Sequence, residues 1–368
     1  MNYSEGVHLL WEDIINPLMK TAILRIASDK GISPEELQGL YDIFEINAKS
    51  GLDGEAGYYD VKRQVIFEYS PQIKAMLVKS ILKDQYIASF QDTIYRQCNR
   101  TILREAFESD YKLKGDERYK KSGRFYTLYS VGRMILLNPH VRAVVTYNYD
   151  NFITHVIGIM QDNLQWFFNE PERSFIEERY RRMKRKRIKA IDIYGDTRPD
   201  IFEVGTIFIY HPHGYIPSPS ESDSLDNCHI VMSIDEYCDS TSRVYSWDND
   251  TQVHLLSHYT SIFMGSSISE LTTQRMIRYA NLNGNRNNIY NLGAHPSYML
   301  GYSKNCNRIR SNLSMIKEQY LKECGLTNIF CAEGFNALYN DLNRITSRYV
   351  DRLFGDLHDS NPNKHRFQ

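Results

Sequence analysis

The chain has 368 residues, a formal net charge of −1 and 42% hydrophobic residues. That length suits one large domain or two ordinary ones, and the apolar share supports a sizeable core. A charge this close to zero argues neither for nor against a nucleic-acid partner of the whole chain, and no stretch approaches the roughly 18 consecutive apolar residues of a membrane span.

Met1 to Leu10 has no basic stretch followed by an apolar one, so no signal peptide is expected. Cys98, Cys228, Cys238, Cys306, Cys324 and Cys331 lie far apart, and no CxxC occurs. This excludes a paired-CxxC zinc ribbon. Without a secretion signal, the expectation is reduced thiols and a cytoplasmic protein.

The first third reads as helical. From Trp11 to Ile26, Trp11, Ile14, Ile15, Leu18, Ile23 and Leu24 fall at helical spacing. Ser33-Pro34-Glu35-Glu36 is a helix start, with a Ser cap, Pro in the first turn and acids beside the positive end of the helix. Ser70-Pro71 repeats that signal before Ile73 to Lys83, and a further amphipathic stretch runs from Gln85 to Glu108. Lys112 to Ser122 is charged and glycine-punctuated and reads as a loop.

The middle changes character. Val141 to Thr146 is a short β-branched run of the kind found in buried parallel strands. Phe152 to Met160 reads as the helix after it. Ile207 to Tyr210 and Ser261 to Met264 read as further strands, and Ser269 to Ala280 as a capped amphipathic helix. Asn288 to Leu292 and Asn328 to Ala332 are two more short strands. Strand–helix alternation predicts crossover connections and an α/β fold with a Rossmann-like parallel sheet covered on both faces. The chain is read as one unit over 1–368, with 32–135 a mainly helical insertion and 165–200 a basic one.

Ligands of such sheets bind outside the carboxyl ends of the strands. Three segments fall there. In Thr146-Tyr147-Asn148-Tyr149-Asp150, Asn148 suits a ribose hydroxyl or a water, and equally a turn; Asp150 suits a helix cap. In Tyr210-His211-Pro212-His213-Gly214, a histidine suits a general base or a satisfied structural role, and Gly214 permits close approach of a ligand. His211 and His213 lack Cys or acidic partners at metal-ligand spacing. Gly265-Ser266-Ser267-Ile268-Ser269-Glu270 offers N–H groups and hydroxyls to an anion or ribose, or simply packs tightly; it is not a P-loop.

These segments, VVTYNYD (144–150), YHPHGY (210–215), IDEY (234–237) and IFMGSSISE (262–270), resemble in this order the sirtuin-like family, in the branch found in bacterial anti-phage defence proteins. NIYNL (288–292) and TNIFCAEGFNAL (327–338) extend the resemblance, which covers roughly residues 140 to 340. It implies an NAD glycohydrolase that breaks the nicotinamide–ribose bond, with NAD as substrate and no metal. Asn148 and His213 match the catalytic asparagine and histidine. Thr146, Tyr147, Asp150, Gly214, Gly265, Ser266, Ser267 and Asn291 match positions lining the NAD site.

Two departures from the family pattern stand out. The four-cysteine zinc module of sirtuin deacetylases is missing, which favours plain NAD hydrolysis. The glycines of the family's pyrophosphate loop do not occur in these residues: Ser4 to Trp11 matches only its downstream part, with Ser4 as the candidate contact, so either the recorded start lies too far downstream or part of the NAD site is lost. The resemblance therefore implies activity gated by assembly, as a homo-oligomer or with a helicase-like ATPase partner. The alternative it leaves is a non-catalytic assembly subunit. Finally, Arg179 to Lys189 (RYRRMKRKRIK) carries only positive charges. It is either a solvated face or a surface for an acidic partner or nucleic acid.

Overall fold

A computed structural model of the chain describes residues 11–44, 70–114, 125–195, 203–220, 230–242, 247–264, 271–282, 288–294, 318–331 and 342–348, with single positions at 225, 228, 268, 312, 315, 316 and 350. It is a mixed α/β protein rich in helix, with two small parallel sheets.

The N-terminal helices follow the sequence signals closely. Helix α1 spans Trp11–Lys30 and buries Ile14, Ile15, Leu18, Met19, Ala22 and Ile23 along one stripe. Helix α2 (Pro34–Ile43) starts on a full capping box: the Ser33 hydroxyl accepts from the Glu36 N–H at 3.2 Å, and the Glu36 carboxylate accepts from the Ser33 N–H at 2.9 Å. Helix α3 (Pro71–Leu82) starts on Ser70, whose hydroxyl accepts from Ile73 N at 3.4 Å.

The stretch expected as one helix from Gln85 to Glu108 is two, α4 (Tyr86–Gln97) and α5 (Arg100–Lys114). The break has a local cause. Cys98 is extended, and the Asn99 side chain accepts from Ile102 N at 3.0 Å, which caps the second helix. Helix α6 (Tyr126–Leu137) follows, packed against α7 (Phe152–Asp162). A short helix, α8 (Leu164–Phe167), leads to α9 (Glu170–Arg182), which again opens on a capping box, Asn169 with Glu172.

The first sheet has the order β1 (Ala143–Val145), β3 (Thr206–Tyr210), β2 (Lys189–Ile193), all parallel. Its register sets Val145 against Tyr210, and Ile193 against Tyr210 on the other side. Strand β2 went unread in the sequence. It lies inside the 165–200 segment read as a basic insertion, yet it is one of the three strands of the sheet.

Helices α10 (Ile234–Ser242) and α11 (Trp247–His258) lead to the second sheet, β4 (Ser261–Met264), β5 (Ile289–Ala294) and β6 (Thr327–Cys331), also parallel. Helix α12 (Leu271–Leu282) connects its first two strands. The expectation of one continuous parallel sheet is thus met only in part. Among the described residues β1 and β4 each pair on one edge alone, and no strand joins the two sheets.

Two apolar cores match the two sheets. The larger combines α1, α3–α9 and β1–β3; the smaller gathers Leu256, Ile268, Met276, Ile277, Ala280, Ile289, Leu321 and Leu326. Burying each large apolar side chain contributes about 1.5–3 kcal/mol. No described helix is long and apolar enough to cross a membrane.

Inside the larger core lies an ion pair. Arg133 of α6 meets Glu172 of α9, with side chains only 6% and 3% exposed. Arg133 Nη1 also donates to the Phe167 carbonyl at 2.7 Å. Ser347 completes the group: its hydroxyl accepts from Arg133 Nη2 at 3.0 Å and lies 2.7 Å from Glu172 Oε1.

Candidate active site

The parallel arrangement of β1, β3 and β2 brings the carboxyl ends of all three strands to one edge. Thr146 continues β1 by one bond, its N–H donating to the Tyr210 carbonyl at 2.9 Å. Its buried hydroxyl accepts from Asn148 N at 3.2 Å and closes a tight turn. Thr146 therefore shapes the turn from within. The Asn148 side-chain amide is half-buried and makes no hydrogen bond to another described residue.

The turn is held from behind. The Tyr149 ring is buried edge-on against Phe90 of α4, with centroids 5.2 Å apart, and its hydroxyl donates to the Val231 carbonyl at 2.9 Å. Asn151 is almost fully buried. Its carbonyl oxygen lies 3.1 Å from the Tyr95 hydroxyl, and its amide donates to the Tyr215 hydroxyl at 3.2 Å. The Tyr95 hydroxyl also reaches the Ile216 carbonyl at 2.7 Å. Helix α4, in the segment read as an insertion, thus braces both strand-end loops.

Asp150 Oδ1 accepts from Phe152 N at 3.0 Å; the N-cap of α7 is Asn151 rather than the expected Asp150, which closes the turn one residue before it. Burial pushes its carboxyl up to about 6, aided by the Asp192 charge and opposed by the Phe152 N–H and His211. The ordinary value is 3.8, so the folded protein holds this proton more tightly than the unfolded chain does. The stabilisation it gives is complete below the ordinary value and is lost as pH rises through about 6. Asp150→Asn keeps an acceptor for the Phe152 N–H and cannot ionise. It should raise the urea midpoint at about pH 7 and change it little at about pH 4. Equal shifts at both pH values would show that Asp150 is not held in a raised-pKa site.

After β3, His211 and His213 part company. His211 is 1% exposed, with its main-chain N–H on the Ile193 carbonyl at 2.9 Å. Its Nδ1 lies 3.1 Å from the Asn148 carbonyl and its Nε2 2.8 Å from Asp192 Oδ1. His213 is half-buried, its ring 4.9 Å from Tyr147 and 5.5 Å, edge-on, from Tyr237. Gly214 follows at φ +93°, a conformation only glycine takes without strain, and its N–H donates to the His211 carbonyl at 3.0 Å. The turn brings His213 back beside the Asn148 turn.

The remaining predicted contacts divide. The Tyr147 hydroxyl is committed to Gln252 of α11 at 2.7 Å, so Tyr147 offers its ring as a wall against His213. Asn291 lies mid-strand in β5 rather than at its end. It is 7% exposed, and its amide donates to Asn328 at 3.0 Å. Ser4, Gly265, Ser266 and Ser267 lie outside the described residues. Next in the sequence, Ile268 is buried at φ +47°, strained for a β-branched residue.

IDEY (234–237) serves mainly to anchor. The Glu236 carboxylate accepts from the N–H groups of Met232 and Ser233 at 2.9 and 2.8 Å, and pairs with Lys79 of α3 at 2.8 Å. Burial works against its charge, but Lys79 and the N–H donors outweigh it and lower its pKa. Only Tyr237 reaches the site.

The basic run is largely neutralised within the chain. Arg179 caps α6 through the Ile135 and Leu136 carbonyls, both at 2.9 Å. Arg181 and Arg182 pair with Glu178, Arg185 with Glu203 and Arg187 with Asp162. Exposed Lys184, Lys186 and Lys189 remain.

The residues missed in the sequence are Asp192, Asn151 and Tyr215. Asp192 stands within the short IDI run of β2, whose alternation was the available signal. Among the described residues no group of three His, Cys, Asp or Glu side chains is disposed to hold a metal ion. No protein-family model matches the chain, and no curated protein matches it in sequence.

Proposed function

We propose that this protein cleaves the nicotinamide–ribose bond of NAD at the carboxyl edge of the first sheet. The observation that carries the reading is the placement of Asn148 and His213 in the turns that follow the neighbouring parallel strands β1 and β3, the Tyr147 ring lying against His213 and the asparagine amide uncommitted among the described residues. An amide both donates and accepts, so Asn148 would hold a ribose hydroxyl and the attacking water. His213 would take the proton, and the rings of Tyr147 and Tyr237 would fix its plane and limit access of bulk water. Nicotinamide departs as a neutral molecule from a cationic precursor, so Asn148 and His213 suffice without a metal.

The Rossmann-like reading of the fold belongs to the same proposal, supported by the parallel strands and by the site at their carboxyl ends. An assembly is part of it as well. Tyr279, Leu282, Met315 and Ile316 in the C-terminal half are exposed apolar side chains of the kind that oligomers cover. The same observation favours the second reading, a non-catalytic assembly subunit.

The test is release of nicotinamide from NAD by the purified protein, with and without a chelator. The proposal expects release in both. No release by any oligomeric form would leave the assembly reading. Loss on chelation would return His211 and His213 to the role of ligands.

A further inference from the structure

Behind the Asn148 turn lies a buried polar unit to which the catalytic reading gives no task. It runs from the Thr154 hydroxyl of α7 to Asp192 Oδ2 at 2.7 Å, from Asp192 Oδ1 to His211 Nε2 at 2.8 Å, and from His211 Nδ1 to the Asn148 carbonyl at 3.1 Å. The His211 side chain is fully buried and that of Asp192 is 11% exposed.

The direction of these bonds follows from the chemistry of the acceptors. A main-chain carbonyl only accepts, so Nδ1 carries a hydrogen. The other ring nitrogen faces a carboxyl oxygen, and a single proton lies between them. The ring cannot rotate without breaking both bonds. Tyr215 closes one side edge-on at 5.0 Å and is itself stacked on Tyr194 at 4.5 Å. The unit spans β2, β3 and the turn after β1, and its end is the peptide group that carries Asn148.

For stability alone, an apolar pair of similar size serves as well as a buried charged one. What this unit supplies is direction. We infer that His211, oriented by Asp192, is a positioning residue: it fixes the Asn148 carbonyl and so aims the Asn148 amide at the reacting ribose. The inference rests on the reading of Asn148 as catalytic. Misplacement of a catalytic group by about 1 Å costs on the order of a hundredfold in rate.

Two near-isosteric substitutions separate the ends of the ring. His211→Asn places an amide N–H where Nδ1 stands and keeps the bond to the Asn148 carbonyl. His211→Gln reaches toward Asp192 and loses it. Both variants of the full chain are compared with wild type for NAD turnover and for the side-chain amide resonance of 15N-labelled Asn148.

His211→Asn is expected to keep kcat within about tenfold and the Asn148 resonance in place. His211→Gln is expected to lose about a hundredfold in kcat with little change in KM, and to move the resonance. Asp192→Asn keeps an acceptor for the Nε2 hydrogen and is expected to fall between them; it serves if His211→Gln fails to fold. An unmoved resonance in both His211→Gln and Asp192→Asn overturns the inference, as does equal kcat in all variants. If wild type cleaves no NAD while the resonance follows the expected pattern, the catalytic reading fails and the tether stands.

Discussion

Asn148→Ala and His213→Ala should each lower NAD cleavage by about a hundredfold to ten-thousandfold, the usual contribution of a positioned proton acceptor or its partner. Neither change should unfold the protein. The Asn148 side chain is half-buried and bonds no other described residue, so its removal strips no partner among them. His213 touches Tyr147 and Tyr237 through its ring, and its backbone carbonyl, which accepts from Val231 N at 2.7 Å, survives the substitution. Turnover is read as nicotinamide release, and folding as the urea midpoint. Wild-type turnover in either variant would remove the mechanism. A collapse of the midpoint in His213→Ala would recast the ring as a structural wedge.

Glu172→Ala should be the most damaging single change to stability. It leaves Arg133 charged and buried in the larger core, takes one acceptor from the Ser347 hydroxyl and removes the carboxylate that completes the cap of α9. Breaking one half of such a pair costs about 3–5 kcal/mol. Replacing both halves, Arg133→Met with Glu172→Leu, should cost clearly less, because no charge is then stranded. Equilibrium urea unfolding of the single and double variants gives the comparison. A double variant as unstable as the sum of the single ones would mean that the two residues do not depend on each other.

Much of the site edge could be read in the sequence because strand ends and glycine turns are local signals. Val145-Thr146 and Tyr210-His211 mark strand ends by the switch from β-branched and aromatic residues to turn formers, and the structure ends β1 and β3 there. The Ser33 and Ser70 caps were legible for the same reason. What stayed hidden is non-local. Lys189 to Ile193 looks like the tail of a charged run until β3 lies beside it. Asp192 gains its meaning only from Thr154 and His211, which stand on other elements. The arginines of the basic run looked available because the run itself holds no acid; Glu203 and Asp162 meet Arg185 and Arg187 by folding.

The bond between Ser347 and Arg133 joins positions 214 residues apart, and Val350 lies fully buried in the same core as Ile14 and Leu18. On the ribosome, this core therefore waits for the segment around position 350. Helices α1 to α9 emerge long before the segment that seals them, and until then Arg133 and the apolar floor around it face solvent or a chaperone. A parallel sheet built from distant strands lengthens that wait. The protein is then most exposed to aggregation in the interval between synthesis of its first sheet and arrival of the segment that carries Ser347 and Val350.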